Sequence, residues 1–175
     1  MPCQFIHINC YGAQAGARRK PHENAFDIID EAARAPGAAR HVSRPQPPVE
    51  LHGVSLQTLT DHVAEFASIA RDRRGARMRR DGTILYAIVV SYPLLWRKIE
   101  GEEALANYGR WRDAVLDWLT ATFGDALQSV VEHLDEAQPH LHAFVVPPLC
   151  PRNRIDHRLH PGHVAREAAL ANGAD

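Results

Sequence analysis

The chain has 175 residues and three cysteines, with 20 Lys and Arg against 21 Asp and Glu for a formal net charge of −1. That length suits one domain with a sizeable core, and Cys3, Cys10 and Cys150, with no Cys-x-x-Cys spacing, exclude a disulfide framework and a zinc ribbon. No charged start leads into a long apolar region and no apolar run nears membrane-spanning length, so the expectation is a protein of the reducing cytoplasm without a membrane segment.

Residues 4–9 alternate and are β-rich, predicting a first strand, and residues 12–20 form a Gly/Ala/basic loop ending in Arg18, Arg19 and Lys20. His22 stands just before Asn24, which can cap a helix over residues 25–34 with Phe26, Ile29 and Ala33 on its apolar face. Residues 36–48 carry four prolines and predict an extended surface connection. Ser55 then caps a second helix, where Leu56, Leu59, Val63, Phe66 and Ala70 recur at three and four up to an arginine cluster around Gly75. Asp81-Gly82 opens a nearly continuous apolar strand over 83–91, expected to be central in a sheet and ended by Pro93. A third helix over Glu102–Phe123 puts Tyr108, Trp111, Val115, Trp118 and Leu119 on one side, a stripe read as core packing. Two strands and an Ala-rich helix over 162–171 follow. The order predicts an α+β fold, an antiparallel sheet with helices packed mainly on one face.

The two late strands flank the densest chemistry in the chain, His133-Leu-Asp-Glu-Ala-Gln-Pro-His-Leu-His142. Side chains at i and i+2 of a strand share a face, so His140 and His142 point the same way. Pro139, with Asp135 and Glu136 before it, marks a tight connection that folds residues 127–134 back antiparallel and brings His133 alongside. Three neutral imidazoles on one side of a sheet form a site for a divalent transition ion, with positions left for water or substrate.

Spacing removes several metal chemistries. His-Glu-x-x-His on a helix is absent, no Asp-His pair follows the His-x-His as in metallo-β-lactamase motifs, and the glutamate a cupin would place after the pair does not come before Glu167. His-hydrophobic-His on a central strand resembles the HUH endonucleases. The longer His-x-Asp-Glu-x-x-Pro-His-x-His, matched at His133, Asp135, Glu136, Pro139, His140 and His142, resembles the plasmid mobilization relaxases of the MobV (Mob/Pre) family.

That resemblance implies metal-dependent nicking of one DNA strand at a plasmid transfer origin by transesterification, with a covalent 5′-phosphate intermediate, rejoining by reversal, and a role in conjugative mobilization. It implies single-stranded or hairpin DNA as partner, a metal held by His133, His140 and His142, and Glu136 near the metal or one of its waters. Manganese or magnesium is the expected ion, with zinc or nickel also compatible. No tyrosine follows His142, as a rolling-circle initiator would require; Tyr11, Tyr86, Tyr92 and Tyr108 all precede it. In the resembled family the nucleophile is a histidine before the first helix, which implies His22, although Glu23 interrupts the usual His-Asn pair. Tyr11 is the second candidate and His41 the third. Relatives continue into a region for dimerization, so residues 1–175 are expected to be one relaxase domain, either C-terminally truncated or naturally short, with 155–175 as a peripheral helical tail.

A net charge of −1 is unexpected for a DNA enzyme, since phosphate contacts call for lysine and arginine. Their distribution answers this. Arg71, Arg73, Arg74, Arg77, Arg79 and Arg80 fall within ten residues, Arg18, Arg19 and Lys20 precede His22, and Arg152, Arg154 and Arg158 follow the metal strand. These clusters are expected to flank a DNA channel. Two other readings remain open: a rolling-circle replication initiator using Tyr11, and a non-catalytic DNA-binding module with a structural metal.

Overall fold

The computed structural model describes residues 5–17, 23–72 and 74–173. Five strands, β1 (Phe5–Tyr11), β2 (Val49–Gly53), β3 (Leu85–Ser91), β4 (Leu127–His133) and β5 (His140–Val145), form one sheet in the order β1-β3-β5-β4-β2. Every neighbouring pair is antiparallel. Helices α1 (Ala25–Ala32), α2 (Leu56–Ile69) and α3 (Glu102–Phe123) pack on the sheet, while a small hairpin, β6 (Leu149–Cys150) and β7 (Arg154–Ile155), leads to α4 (Pro161–Ala171). The α+β class with an antiparallel sheet is as expected from the sequence.

Both faces of the sheet are covered because its central strands are apolar on both sides. Ile29 from α1 and Leu59, Val63 and Phe66 from α2 close over Leu85, Ala87, Val131 and Phe144. On the reverse face Val115, Leu119 and Phe123 of α3 close over Tyr86, Ile88, Val90 and Leu141. The helices thus divide two to one between the faces. Leu59, Val63 and Leu119 are fully buried, and each such side chain contributes about 1.5–3 kcal/mol by leaving water.

Local signals set most element ends. The Asn24 side chain accepts from the N–H groups of Phe26 and Asp27, and Ser55 Oγ accepts from Thr58. The third helix has the predicted bounds, with Glu102 and Glu103 at its positive end. Its stripe is core: Tyr108, Val115 and Leu119 are buried, although Trp118 stays partly exposed.

Three differences from expectation have tertiary causes. The edge strand β2 follows the Pro-rich connection and pairs only with β4, across a register shift between Glu50 and His52. Its hydrophobic pattern is short and mixed; Gly53 (φ 79°) ends it where an added Cβ would lie 2.0 Å from the Gln128 carbonyl oxygen. Helix α2 stops at Ile69 rather than reaching Gly75, because the Arg71 N–H turns to the Asn153 carbonyl (2.7 Å) and Arg71 bridges to Arg77 and Arg154. The β6–β7 hairpin itself has no strand-length pattern in the sequence.

Candidate metal centre

Two adjacent strands and the turn between them build the site. His133 closes β4, His140 opens β5, and the two are direct cross-strand partners. His142, two residues on, shares their face and pairs with Val131. Ring centroids stand 5.1 Å (His133–His140), 4.8 Å (His133–His142) and 5.0 Å (His140–His142) apart. One nitrogen from each ring can be chosen so that all three lie within 4.8 Å of one another. The intervening turn is pinned from behind, where Tyr92 N–H donates to the Pro139 carbonyl (2.9 Å), Trp96 N–H to the Ala137 carbonyl (2.9 Å) and Gln138 Nε2 to the Tyr92 carbonyl (2.6 Å).

The donor set fits a metal ion on two observations. His133 is buried, yet neither ring nitrogen has a hydrogen-bond partner, an arrangement that costs about 1–3 kcal/mol unless something else engages the ring. His140 Nδ1 faces the Gln138 carbonyl at 3.0 Å; as donor there it leaves the Nε2 lone pair free for a ligand. Burial, followed by the charge of Arg34, holds His133 down to about 3, and burial with the neighbouring His133 and His140 holds half-buried His142 well below its ordinary range. Neutral imidazoles are the form that binds metal.

Behind the histidines the motif carboxylates Asp135 and Glu136 meet Arg34, a partner that the sequence did not mark. Arg34 Nε and Nη2 donate to the two Asp135 carboxylate oxygens at 2.9 and 2.8 Å, and Nη2 also reaches Glu136 at 2.7 Å. The Arg34 and Asp135 side chains are 3% and 2% exposed. Burial alone would raise the Asp135 carboxyl, but Arg34 and the Gln46 N–H (3.0 Å) overcome it and hold the group at about 2. Asp135 stands 3.8 Å from His133 Nδ1 and Glu136 3.7 Å from His140 Nε2, so both carboxylates border the histidines. In sequence Arg34 looks like the last residue of an amphipathic helix, and its backbone (φ 57°) occupies a left-handed position where glycine is usual. No local signal separates it from a surface arginine.

The other expected site residues that the structure describes lie apart from the trio. Arg18, Arg19, Lys20, His22 and Arg73 fall outside the described residues. Arg74, Arg77, Arg79 and Arg80 precede β3, whereas His140 pairs with Ser91 at its other end. Seven strand residues separate those ends, about 20 Å, and Arg79 is engaged by Asp81 at 2.7 Å. Tyr11 is 7% exposed and belongs to the core under α1 and α2. His157, His160 and His163 gather on the reverse face around Tyr86, with His157 Nδ1 2.7 Å from its hydroxyl. No helix among the described residues is long and apolar enough to cross a membrane.

No protein-family model matches the chain, and no curated protein sequence matches it. Solved structures do. A manganese-bound crystal structure at pH 5.5 of the MobM relaxase domain (MOBV; Mob_Pre) with 22 nucleotides of pMV158 oriT DNA superposes with a TM-score of 0.55 at 12% identity, covering 98% of this chain and 88% of that one. A second manganese-bound structure, with 23 nucleotides at pH 6.5, gives a TM-score of 0.54 at 15% identity over 97% and 80%. The fold is that of a relaxase domain. The resemblance that the motif carried over the last third of the chain therefore extends, as architecture, over nearly all of it.

Proposed function

We propose that this protein is a relaxase: a metal-dependent, site-specific nuclease that nicks and rejoins one DNA strand at a plasmid transfer origin and so initiates conjugative mobilization. The observation that carries the reading is the convergence of His133, His140 and His142, with neither ring nitrogen of buried His133 hydrogen-bonded, on a fold otherwise seen bound to oriT DNA. The neighbours' manganese makes manganese or magnesium the first ions to test.

His133, His140 and His142 hold the ion on this reading; when bound it would neutralise charge on the scissile phosphate and its leaving oxygen. Glu136 lies beside His140 and supplies negative charge at the rim, and Asp135 orients His133 from behind. Arg34 fixes both carboxylates. The attacking group is a histidine, for which His22 is the candidate that the sequence offers. Attack leaves the 5′ phosphate on the protein and frees a 3′ hydroxyl, and reversal reseals the strand. The basic groups Arg74, Arg77, Arg79 and Arg80, with Arg18, Arg19, Lys20 and Arg73, contact the flanking DNA. Single-stranded or hairpin DNA is the partner, in the cytoplasm.

A tyrosine-based initiator is disfavoured, because Tyr11, Tyr86, Tyr92 and Tyr108 are 7%, 1%, 8% and 6% exposed. The test is incubation with a randomised single-stranded DNA library and Mn2+, then capture of protein-linked DNA under denaturing conditions and sequencing. Enrichment of one site at a fixed 5′ end is expected. Library DNA that binds but never becomes covalently linked would leave the non-catalytic DNA-binding reading instead.

A further inference from the structure

We infer that the recess on the reverse face of the sheet, between β3 and the start of α4, is a phosphate-binding site separate from the metal centre. His157, His160 and His163 recur at every third position, and the metal centre uses none of them. With Thr83, Tyr86 and Arg166 they line an open cavity of about 310 Å³. Tyr86 stands on β3 opposite Val145, five residues along the strand from Ser91, the partner of His140. Five strand residues span about 17 Å, and the sheet lies between, so the recess and the histidine trio cannot hold the same phosphate.

Contacts among these side chains fix the walls. Tyr86 is buried, and its hydroxyl lies 2.7 Å from His157 Nδ1. His160 caps α4, its Nδ1 accepting from the Gly162 N–H (3.1 Å), and its ring stands edge-on to Tyr86 with centroids 5.0 Å apart. A ring whose Nδ1 accepts is neutral and carries its proton on Nε2. Burial, followed by the charge of His163, holds His160 below its ordinary range and keeps it in that form. The His157 and His163 rings stand 6.5 Å apart, and Arg166, three positions on from His163, lies on the same face of α4.

The lining is rich in donors and poor in acceptors. Arg166 makes no ion pair or side-chain hydrogen bond among the described residues, so its guanidinium is available to a ligand, and the Thr83 hydroxyl adds a further donor. No carboxylate of the described residues lines the cavity. The two nearest are otherwise engaged: Asp156 holds Arg158 at 2.9 Å, and Glu167, 63% exposed, lies 3.8 Å from His163 Nδ1. Burial raises the Tyr86 hydroxyl well above its ordinary range, so no phenolate faces the recess. An oxyanion complements such a lining, and the planar fork of an arginine matches two oxygens of a phosphate. A DNA strand and a free phosphate ester both present those oxygens.

The experiment follows the histidine Cε1–H resonances of the full chain by NMR, without added metal, so that phosphate has no ion at the trio to bind. Inorganic phosphate, a 5′-phosphorylated oligothymidine and its unphosphorylated form are titrated separately, each against chloride at equal ionic strength. Inorganic phosphate is expected to shift the His157 and His163 signals saturably, the signals being assigned by their loss in His157→Gln and His163→Gln. Arg166→Gln, at an exposed helix position, should keep the melting temperature and weaken phosphate at least about tenfold. Tighter binding of an oligonucleotide than of inorganic phosphate at these two signals assigns the site to the DNA strand, and a need for the 5′ phosphate assigns it to the strand's end. Weaker or equal binding assigns it to a free phosphate ester. Shifts no larger than those chloride gives, or Arg166→Gln binding phosphate as the wild type does, would overturn the proposal and leave the relaxase reading intact.

Discussion

Arg34 and Asp135, 101 residues apart in the chain, meet in a buried two-bond fork at 2.9 and 2.8 Å. The left-handed backbone at Arg34 (φ 57°) costs an L-residue about 1–2 kcal/mol that glycine would avoid. An arginine stands there because only its planar guanidinium can engage Asp135 through two bonds and still reach Glu136.

Arg34→Ala leaves the Asp135 carboxylate buried beside a single backbone N–H, and is expected to lower stability by about 3–5 kcal/mol. Arg34→Lys keeps the charge but loses the fork, so it should fall between. Urea unfolding of the three proteins measures this; a loss under about 1 kcal/mol for Arg34→Ala would show that the cluster is not buried as described.

Mn2+ should raise the melting temperature of the wild-type protein, by about 2.7 kcal/mol of added stability at a hundredfold excess over Kd. The doubly substituted His140→Ala, His142→Ala protein should show no such rise. Calorimetric scans with Mn2+ and then with a chelator decide it, and an undiminished rise in the double variant would place the ion elsewhere.

Acid should destabilise the metal-free protein in a defined window. Folded His133 takes a proton only near about 3 against an ordinary value of 6.5. Between those values the unfolded chain binds a proton that the folded chain refuses, so stability falls as pH drops from 6.5 toward 3. His142 is shifted in the same direction and adds to the loss. Asp135 adds a further loss from 3.8 down to about 2, where its unfolded form protonates first. Unfolding midpoints across pH 3 to 7 should fall monotonically with acid, and a flat profile would contradict the burial of the histidines.

On the reverse face, the Tyr108 hydroxyl donates to buried Glu132 at 2.5 Å, with Arg112 3.9 Å from the other carboxylate oxygen. Tyr108→Phe should cost about 1–3 kcal/mol by leaving that acceptor short of a partner. Mn2+ affinity should not change, because the sheet separates this pair from the trio; titration calorimetry beside urea unfolding checks both halves.

If the arginine cluster contacts DNA, replacing Arg74, Arg77 and Arg80 with alanine should reduce the slope of log affinity against log salt by about 2 for single-stranded DNA. Fluorescence anisotropy with a labelled oligonucleotide at several salt concentrations measures it. An unchanged slope would assign these arginines to solvent.

Much of the centre was legible because its grammar is local. Alternation at period two places His140 and His142 on one face, and the Asp-Glu…Pro turn folds His133 back to meet them. Asn24, Ser55 and the apolar run of β3 are equally local, since capping and burial act within a few residues. The end of α2 was misplaced because its periodicity continues to Ala70 while Arg71 is recruited by Asn153, 82 positions later in the numbering.

By itself, then, the sequence determined the three imidazoles, their spacing and the central strand that carries them, because each rests on short-range backbone geometry. Only the tertiary structure decided that Arg34 would lock Asp135 and Glu136, that β2 would close the sheet edge, and that His41 would stand between Glu31 and Glu136. Those relationships join segments remote in the chain through single side-chain contacts, which leave no periodic pattern in the residues that make them.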